Sequence, residues 1–155
     1  MHTTIPSGGS GRVLRLADTA DRAGAITFSA TFDLDVTLQA VVDGARAAGV
    51  RWVVVGSHAP CLSVGNYGCE MGDDLFDLLV DRKVDLILSG HDHSYQRSVQ
   101  VAQTRACPVV PPAEYDGSCV ADDAADGRYT AGAGTVQIVA GTGGQGLYDV
   151  DLAQP

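Results

Sequence analysis

Apolar and polar residues alternate over residues 26–34, where Ile26, Phe28, Ala30, Phe32 and Leu34 keep the two-residue period of a strand that buries one face. The period then lengthens. Asp35 is placed to cap a helix running to residue 48, with Leu38, Val41, Val42 and Ala45 as its apolar stripe and Gly49 as a left-handed stop. Residues 52–55, Trp-Val-Val-Val, form a continuous apolar run of the kind seen in strands covered on both sides, and the run ends at Gly56-Ser57-His58. A second helix is predicted over 73–83, with Asp73 and Asp74 at its positive end, Arg82 and Lys83 at its negative end, and Leu75, Leu78 and Leu79 facing inward. Residues 84–88 repeat the apolar strand pattern, 95–101 alternate, and 135–140 read as a last buried strand. Residues 1–11 are expected to form a flexible arm, and 107–134, rich in Pro and Asp, a long surface loop. The whole reads as one domain, with no internal repeat.

A strand, a helix and a second strand, with apolar runs at both ends, predict a right-handed parallel crossover. Ligands of open α/β sheets sit beyond the carboxyl ends of the strands, and both strands here end in histidine: His58 after the first, His91 and His93 after the second. Three histidines scattered along the chain are thereby expected at one rim. Two imidazoles separated by one residue at a strand end face different directions and can serve neighbouring ions. The Gly-rich stretch 141–146 lacks the Lys-Ser/Thr ending of a phosphate-cradling P-loop and reads as a turn.

Composition narrows the partners. In 155 residues, 10 Lys and Arg face 19 Asp and Glu, for a formal charge of -9, and no basic run could neutralise a row of phosphates, which disfavours nucleic acid as a bulk partner. A phosphorylated small substrate remains open, because bound metal ions invert the local potential. No stretch approaches the roughly 18 apolar residues of a membrane helix. The four cysteines fall into two local pairs, Cys61 with Cys69 and Cys107 with Cys119. Of the three connectivities four cysteines allow, the local one is favoured, with buried free thiols as the alternative. Disulfides would indicate an extracytoplasmic or secreted protein, and the start of the chain carries no signal peptide, so the true start is expected upstream.

The run Gly90-His91-Asp92-His93-Ser94-Tyr95-Gln96-Arg97 resembles the GHxH motif of the calcineurin-like metallophosphoesterases, and its flanking Tyr and Arg are similar to the purple acid phosphatase version. WVVVGSHAP, residues 52–60, resembles that family's strand followed by one metal-binding histidine, and residues 134–148 look like its last core strand and turn. The resemblance implies an α/β fold, the carboxyl-terminal half of a four-layer αββα sandwich built from a βαβ crossover and further strands. It implies a dinuclear hydrolase of phosphate monoesters or diesters, with His58 and His91 on one ion and His93 on the other. The ions would be Fe, Zn or Mn, and Asp92, Tyr95 and Arg97 would lie just outside the ligands. Where plant relatives place a histidine that assists the leaving group, this chain offers only Asn66 and Tyr67 as polar residues. The family's amino-terminal Asp and Asn motifs have no counterpart before His58. The chain is therefore expected to need a missing amino-terminal half, and the alternative is a truncated, catalytically inactive metal-binding fragment.

Overall fold

The computed structural model describes residues 12–18, 24–30 and 34–150, with side chains described from residue 37 onward. The expected arm, 1–11, lies outside them. In chain order the elements are β1 (Arg12–Asp18), β2 (Gly24–Ala30), α1 (Leu34–Ala47), β3 (Val53–Gly56), α2 (Asp73–Asp81), β4 (Leu86–Ser89), β5 (Tyr95–Arg97) and β6 (Gln100–Val101). A single 3₁₀ turn (Gly117–Cys119), β7 (Val120–Asp122) and β8 (Val136–Ala140) follow. Six strands form one mixed sheet in the order β2-β1-β3-β4-β8-β5, and β6 and β7 form a separate ribbon. β3 and β4 are parallel, as the crossover predicts, and β8 runs parallel to β4 on its other side. β1 pairs antiparallel with both β2 and β3, and β5 pairs antiparallel with β8.

The two helices cover one face of this sheet. Leu38 and Val42 of α1 and Leu75, Phe76, Leu79 and Val80 of α2 join Val53, Val55 and Ile87 in one buried cluster, with Val41, Ala45 and Leu78 packed at its edge. Each fully buried Leu, Val or Phe contributes about 1.5–3 kcal/mol of transfer free energy, so this layer accounts for the order of the sheet's centre. On the other face, register places Val54, Leu86, Leu88 and Ile138 side by side. These are only half-buried, and Leu88 is 41% exposed.

Both helices stop in the same way. At the end of α1 the Gly49 N–H bonds the Arg46 carbonyl and the Val50 N–H bonds the Ala45 carbonyl, with Gly49 at φ 76°. At the end of α2 the Lys83 N–H bonds the Val80 carbonyl and the Val84 N–H bonds the Leu79 carbonyl, with Lys83 at φ 51°. This paired closure satisfies the last carbonyls and buries the next apolar residue against the helix, here Val84 on Leu79. It also corrects the predicted helix 73–83. The helix ends at Asp81, so Arg82 and Lys83 lie past the last turn, where Arg82 faces Asp43 and Asp81.

Three further expectations change. The run 95–101 is two strands in different sheets, because the Ser98 side chain enters the ladder in place of a backbone carbonyl: Ser98 Oγ accepts from the Gln137 N–H at 2.9 Å. Beyond it, Val101 bridges Thr135, and Gln100 and Val101 turn away to pair with β7. The segment 107–134 carries the 3₁₀ turn and β7, and it buries Cys107, Val110 and Cys119 in the core. The first strand was expected to reach residue 34, but β2 stops at Ala30 and Leu34 begins α1. The cysteines pair locally, Cys61 with Cys69 and Cys107 with Cys119. Among the described residues no helix is long and apolar enough to cross a membrane.

Candidate functional site

The carboxyl ends of β3 and β4 are joined past their last ladder residues. The Ser57 N–H bonds the Leu88 carbonyl at 2.9 Å, and the Gly90 N–H bonds the His58 carbonyl at 3.1 Å. The two loops leave the sheet tied together, and that tie sets His58 beside His91. His91 itself has φ 64°, a left-handed conformation uncommon outside glycine. Around it the Asp92 N–H reaches the Gly90 carbonyl at 2.7 Å, and the Ser94 N–H then reaches the Asp92 carbonyl at 2.8 Å. Two successive three-residue turns of this kind are tight, and the first is strained at a non-glycine residue. They present His91 and His93 on either side of Asp92.

His91 Nδ1 lies 3.0 Å from His58 Nε2. The other nitrogen of the same ring, Nε2, lies 3.0 Å from Glu70 Oε2, and the Tyr67 ring packs 4.3 Å from the His91 ring. His93 stands apart from this pair. Its ring stacks on Tyr148 at 4.3 Å, and its Nδ1 lies 3.1 Å from the Gly146 carbonyl. The Tyr148 N–H closes the strand-end turn by bonding the His93 carbonyl at 2.8 Å. Tyr67 and Tyr148 approach each other at 6.3 Å between ring centroids, so an aromatic wall runs from His91 to His93. The Tyr148 phenol is held above its ordinary pKa, first by loss of surrounding water and then by its hydrogen bond with Tyr67 and the nearby charges of Tyr67 and Asp92.

Beneath the histidines, Asp92 is fully buried. Its carboxylate accepts from Ser63 Oγ and from the Asn66 N–H at 3.1 Å. Gln96 clamps the same loop: its Oε1 accepts from the Val64 N–H at 2.8 Å, and its Nε2 donates to Ser63 Oγ at 3.0 Å and to Ser94 Oγ at 2.8 Å. From β8, Gln137 Oε1 accepts from the Cys61 and Leu62 N–H groups. Glycine is required twice here by close approach. A Cβ on Gly65 would lie 2.6 Å from the Asp92 carboxyl, and one on Gly141 would collide with the Asp92 backbone carbonyl.

Of the residues singled out in the sequence, His58, His91, His93, Asp92 and Tyr67 meet at this rim. Asn66 is exposed and reaches it through its backbone. Tyr95 is 64% exposed, and Arg97 lies over the Tyr129 ring at 5.8 Å. These two sit on the outward face of β5, while Gln96 between them supplies the contact to the site. Glu70, Tyr148, Gln96 and Ser63 were not foreseen. The one available signal was for Glu70, since a loop closed by a disulfide must return its end to its beginning, and Glu70 directly follows the second cysteine.

The donor set fits a cation in part. An ion held about 2.1 Å from each of two imidazole nitrogens at a right angle needs them about 3 Å apart, which is the spacing of His58 and His91. Among the described residues, the groups of three donors mutually within 4.8 Å are Cys61, Cys69 and Asp73, and Cys107, Asp116 and Cys119, whose sulfurs are engaged in disulfides. His93 therefore does not complete a three-donor cluster with His58 and His91.

Over 66 residues the chain is 33% identical to purple acid phosphatase 17 of Arabidopsis thaliana; the stretch covers 41% of this chain and only 18% of that protein. The family model for calcineurin-like phosphoesterases matches residues 5–95, more than half of the chain and inclusive of all three rim histidines. A match of that extent means that the chain belongs to the calcineurin-like phosphoesterase family, a metal-dependent group of phosphoesterases.

Proposed function

We propose that this chain contributes the histidine side of a metal-dependent centre that hydrolyses phosphate monoesters or diesters. The observation that carries the reading is the 3.0 Å approach of His58 Nε2 to His91 Nδ1 at the adjoining tips of two parallel strands. In this reading His58 and His91 hold one ion and His93 a second, each Fe, Zn or Mn. Bound ions of this kind acidify coordinated water and neutralise charge on phosphoryl oxygens.

The chain's own residues do the positioning. Asp92, locked under the rim by Ser63 and the Asn66 N–H, keeps the two flanking imidazoles on opposite sides of a tight turn. Tyr67 on His91 and Tyr148 on His93 shield the ring faces from water and line the approach for an ester's leaving group. Tyr67 rather than Asn66 is then the leaving-group contact, since Asn66 is turned to solvent. The half-covered sheet face at Val54, Leu86, Leu88 and Ile138 supports the expectation that the chain is the carboxyl-terminal part of a sandwich, since parallel strands are ordinarily covered on both faces. The two disulfides support an extracytoplasmic setting.

The test is hydrolysis of an aryl phosphate with Zn²⁺, Mn²⁺ or Fe added. Turnover is expected to need metal, to stop on chelation and to be lost in His91→Ala. Chelator-insensitive turnover, or full activity in that variant, would overturn the proposal.

A second reading is favoured because, among the described residues, no third His, Cys or carboxylate donor completes a cluster with the His58–His91 pair: alone, this chain binds an ion without turning substrate over. Calorimetric titration with Zn²⁺ or Mn²⁺ beside the same assay separates the two. One weakly bound ion and no hydrolysis supports the second, and two tightly bound ions with turnover rejects it.

A further inference from the structure

We infer that Glu70 is the positioning residue that fixes the His91 ring, holding its Nε2 as the proton-bearing nitrogen so that Nδ1 presents a lone pair toward His58. The inference deepens the proposed metal site and rests on it for its consequence, but its first step rests only on the geometry of one ring. A carboxylate oxygen accepts and does not donate, and Glu70 Oε2 lies 3.0 Å from His91 Nε2. That nitrogen must carry the hydrogen. In the neutral ring, Nδ1 is then the acceptor, and it is Nδ1 that faces His58 Nε2 at 3.0 Å. With the ring neutral, the same tautomer of His91 is required whether His58 donates to Nδ1 or both lone pairs converge on a cation. A carboxylate behind a metal-binding imidazole orients the ring and raises its basicity.

The fold delivers Glu70 to this place deliberately. Its neighbour Cys69 is bonded to Cys61, at the start of the loop that leaves His58. The Glu70 N–H bonds the Gly68 carbonyl at 2.8 Å, and the Met71 N–H bonds the Pro60 carbonyl at 3.1 Å, which pins the backbone on both sides. The Tyr67 ring, 4.3 Å from His91, closes the other side of the imidazole. Glu70 is 46% exposed, so through-space attraction to a cation is screened and the directed hydrogen bond is the part that matters.

The experiment compares the wild type with Glu70→Ala, Glu70→Gln and a distant control, Glu114→Ala. Long-range ¹H–¹⁵N spectra of the metal-free proteins read the His91 tautomer directly. The wild type is expected to show one tautomer, protonated at Nε2, and Glu70→Ala to show an averaged pair. Calorimetry with Zn²⁺ is expected to show about tenfold weaker binding for Glu70→Ala, at the low end for a residue of this kind because of its exposure. Glu70→Gln, whose side-chain oxygen still accepts from Nε2, should recover most of that affinity, and Glu114→Ala should lose none. An equal loss in Gln and Ala would mean that Glu70 acts by charge or as a direct ligand, and an unchanged His91 tautomer in Glu70→Ala would refute positioning outright. Absence of Zn²⁺ binding by every protein, with the tautomer shift intact, would sink the metal reading and leave the role of Glu70 standing.

Discussion

The two disulfide loops span separations of 8 and 12 residues, and the chain-entropy model assigns them nearly the same stabilisation, about 2.5–3 kcal/mol each. Their surroundings differ far more than that. The Cys61–Cys69 loop is bonded at Ser63, Val64 and Asn66 to the turn that carries His91 and His93, through Asp92 and Gln96, and it returns Tyr67 and Glu70 to the rim. The Cys107–Cys119 loop is bonded to itself and to the chain that leads into it. Thr104 Oγ1 accepts from the Ala106 and Cys107 N–H groups, Asp116 caps the 3₁₀ turn through the Ser118 N–H, and the loop's apolar side fills a corner of the core with Val110. One crosslink therefore shapes a site and the other closes a wall. Equal loop entropy does not mean equal function, because what a crosslink orders is set by what the loop touches.

The largest effect is expected where the first loop meets the histidine turn. Asp92→Ala removes the acceptor for Ser63 Oγ and the Asn66 N–H inside the protein and detaches the loop from the turn. The expected loss is about 3–4 kcal/mol in urea unfolding, with Zn²⁺ binding abolished in calorimetry. A destabilised protein that kept its Zn²⁺ affinity would show that the loop and the histidines are independent.

Next come the crosslinks themselves. Replacing both cysteines of either pair by serine should lower stability by a similar amount, about 2.5–3 kcal/mol in denaturant unfolding. Only the Cys61→Ser, Cys69→Ser protein should also bind Zn²⁺ more weakly, by about tenfold or more, because Glu70 and Tyr67 are released with the loop. The Cys107→Ser, Cys119→Ser protein should bind as the parent does. If both pairs cost the same affinity, the contrast between the loops is wrong.

The sheet's centre was open to reading because its strands are short continuous apolar runs and its helices carry a strong local period. Leu38 and Val42 are buried where their spacing says they should be, and Gly49 ends α1 in the left-handed conformation that glycine allows, whereas the run 52–55, expected to be covered on both sides, is buried at Val53 and Val55 and only half-buried at Val54. β1 was not foreseen, since Arg12 and Arg15 interrupt a short apolar run and its place follows from pairing with two other strands. The split at Ser98 was also hidden, because alternation continues through it while its hydroxyl changes the hydrogen-bond pattern. At the site, histidine at two strand ends was legible from topology. Tyr148 was not, and Glu70 was signalled only by its place after the second cysteine, because both reach the rim by closure of a loop and periodicity carries no information on where a loop returns; Gln96 sits in β5, and its role is set by partners on the separate loop at Ser63 and Val64.

The smallest expected effect lies where the chain entering the second loop meets α2. Gln103 Nε2 is 3.4 Å from both the Asp77 carbonyl and its carboxylate Oδ1. The Asp77 carboxyl is held above its ordinary pKa, first by desolvation and also by Asp73 and Asp74, while the Gln103 hydrogen bond pulls the other way. A carboxyl raised in this way binds its proton more tightly in the folded state, so its contribution to stability is most favourable below the unfolded pKa and falls as pH rises through the folded one. Asp77→Asn cannot ionise. It should match the parent at about pH 3 and exceed it above about pH 6, by about 0.5 kcal/mol or less given solvent screening of a partly exposed group. In the Cys107→Ser, Cys119→Ser background, where Gln103 is less firmly held, the opposing hydrogen bond weakens and the gain above pH 6 should grow. A gain of the same size at both pH values would assign the effect to helix propensity instead, and an identical gain in both backgrounds would show that the second loop does not steady Gln103.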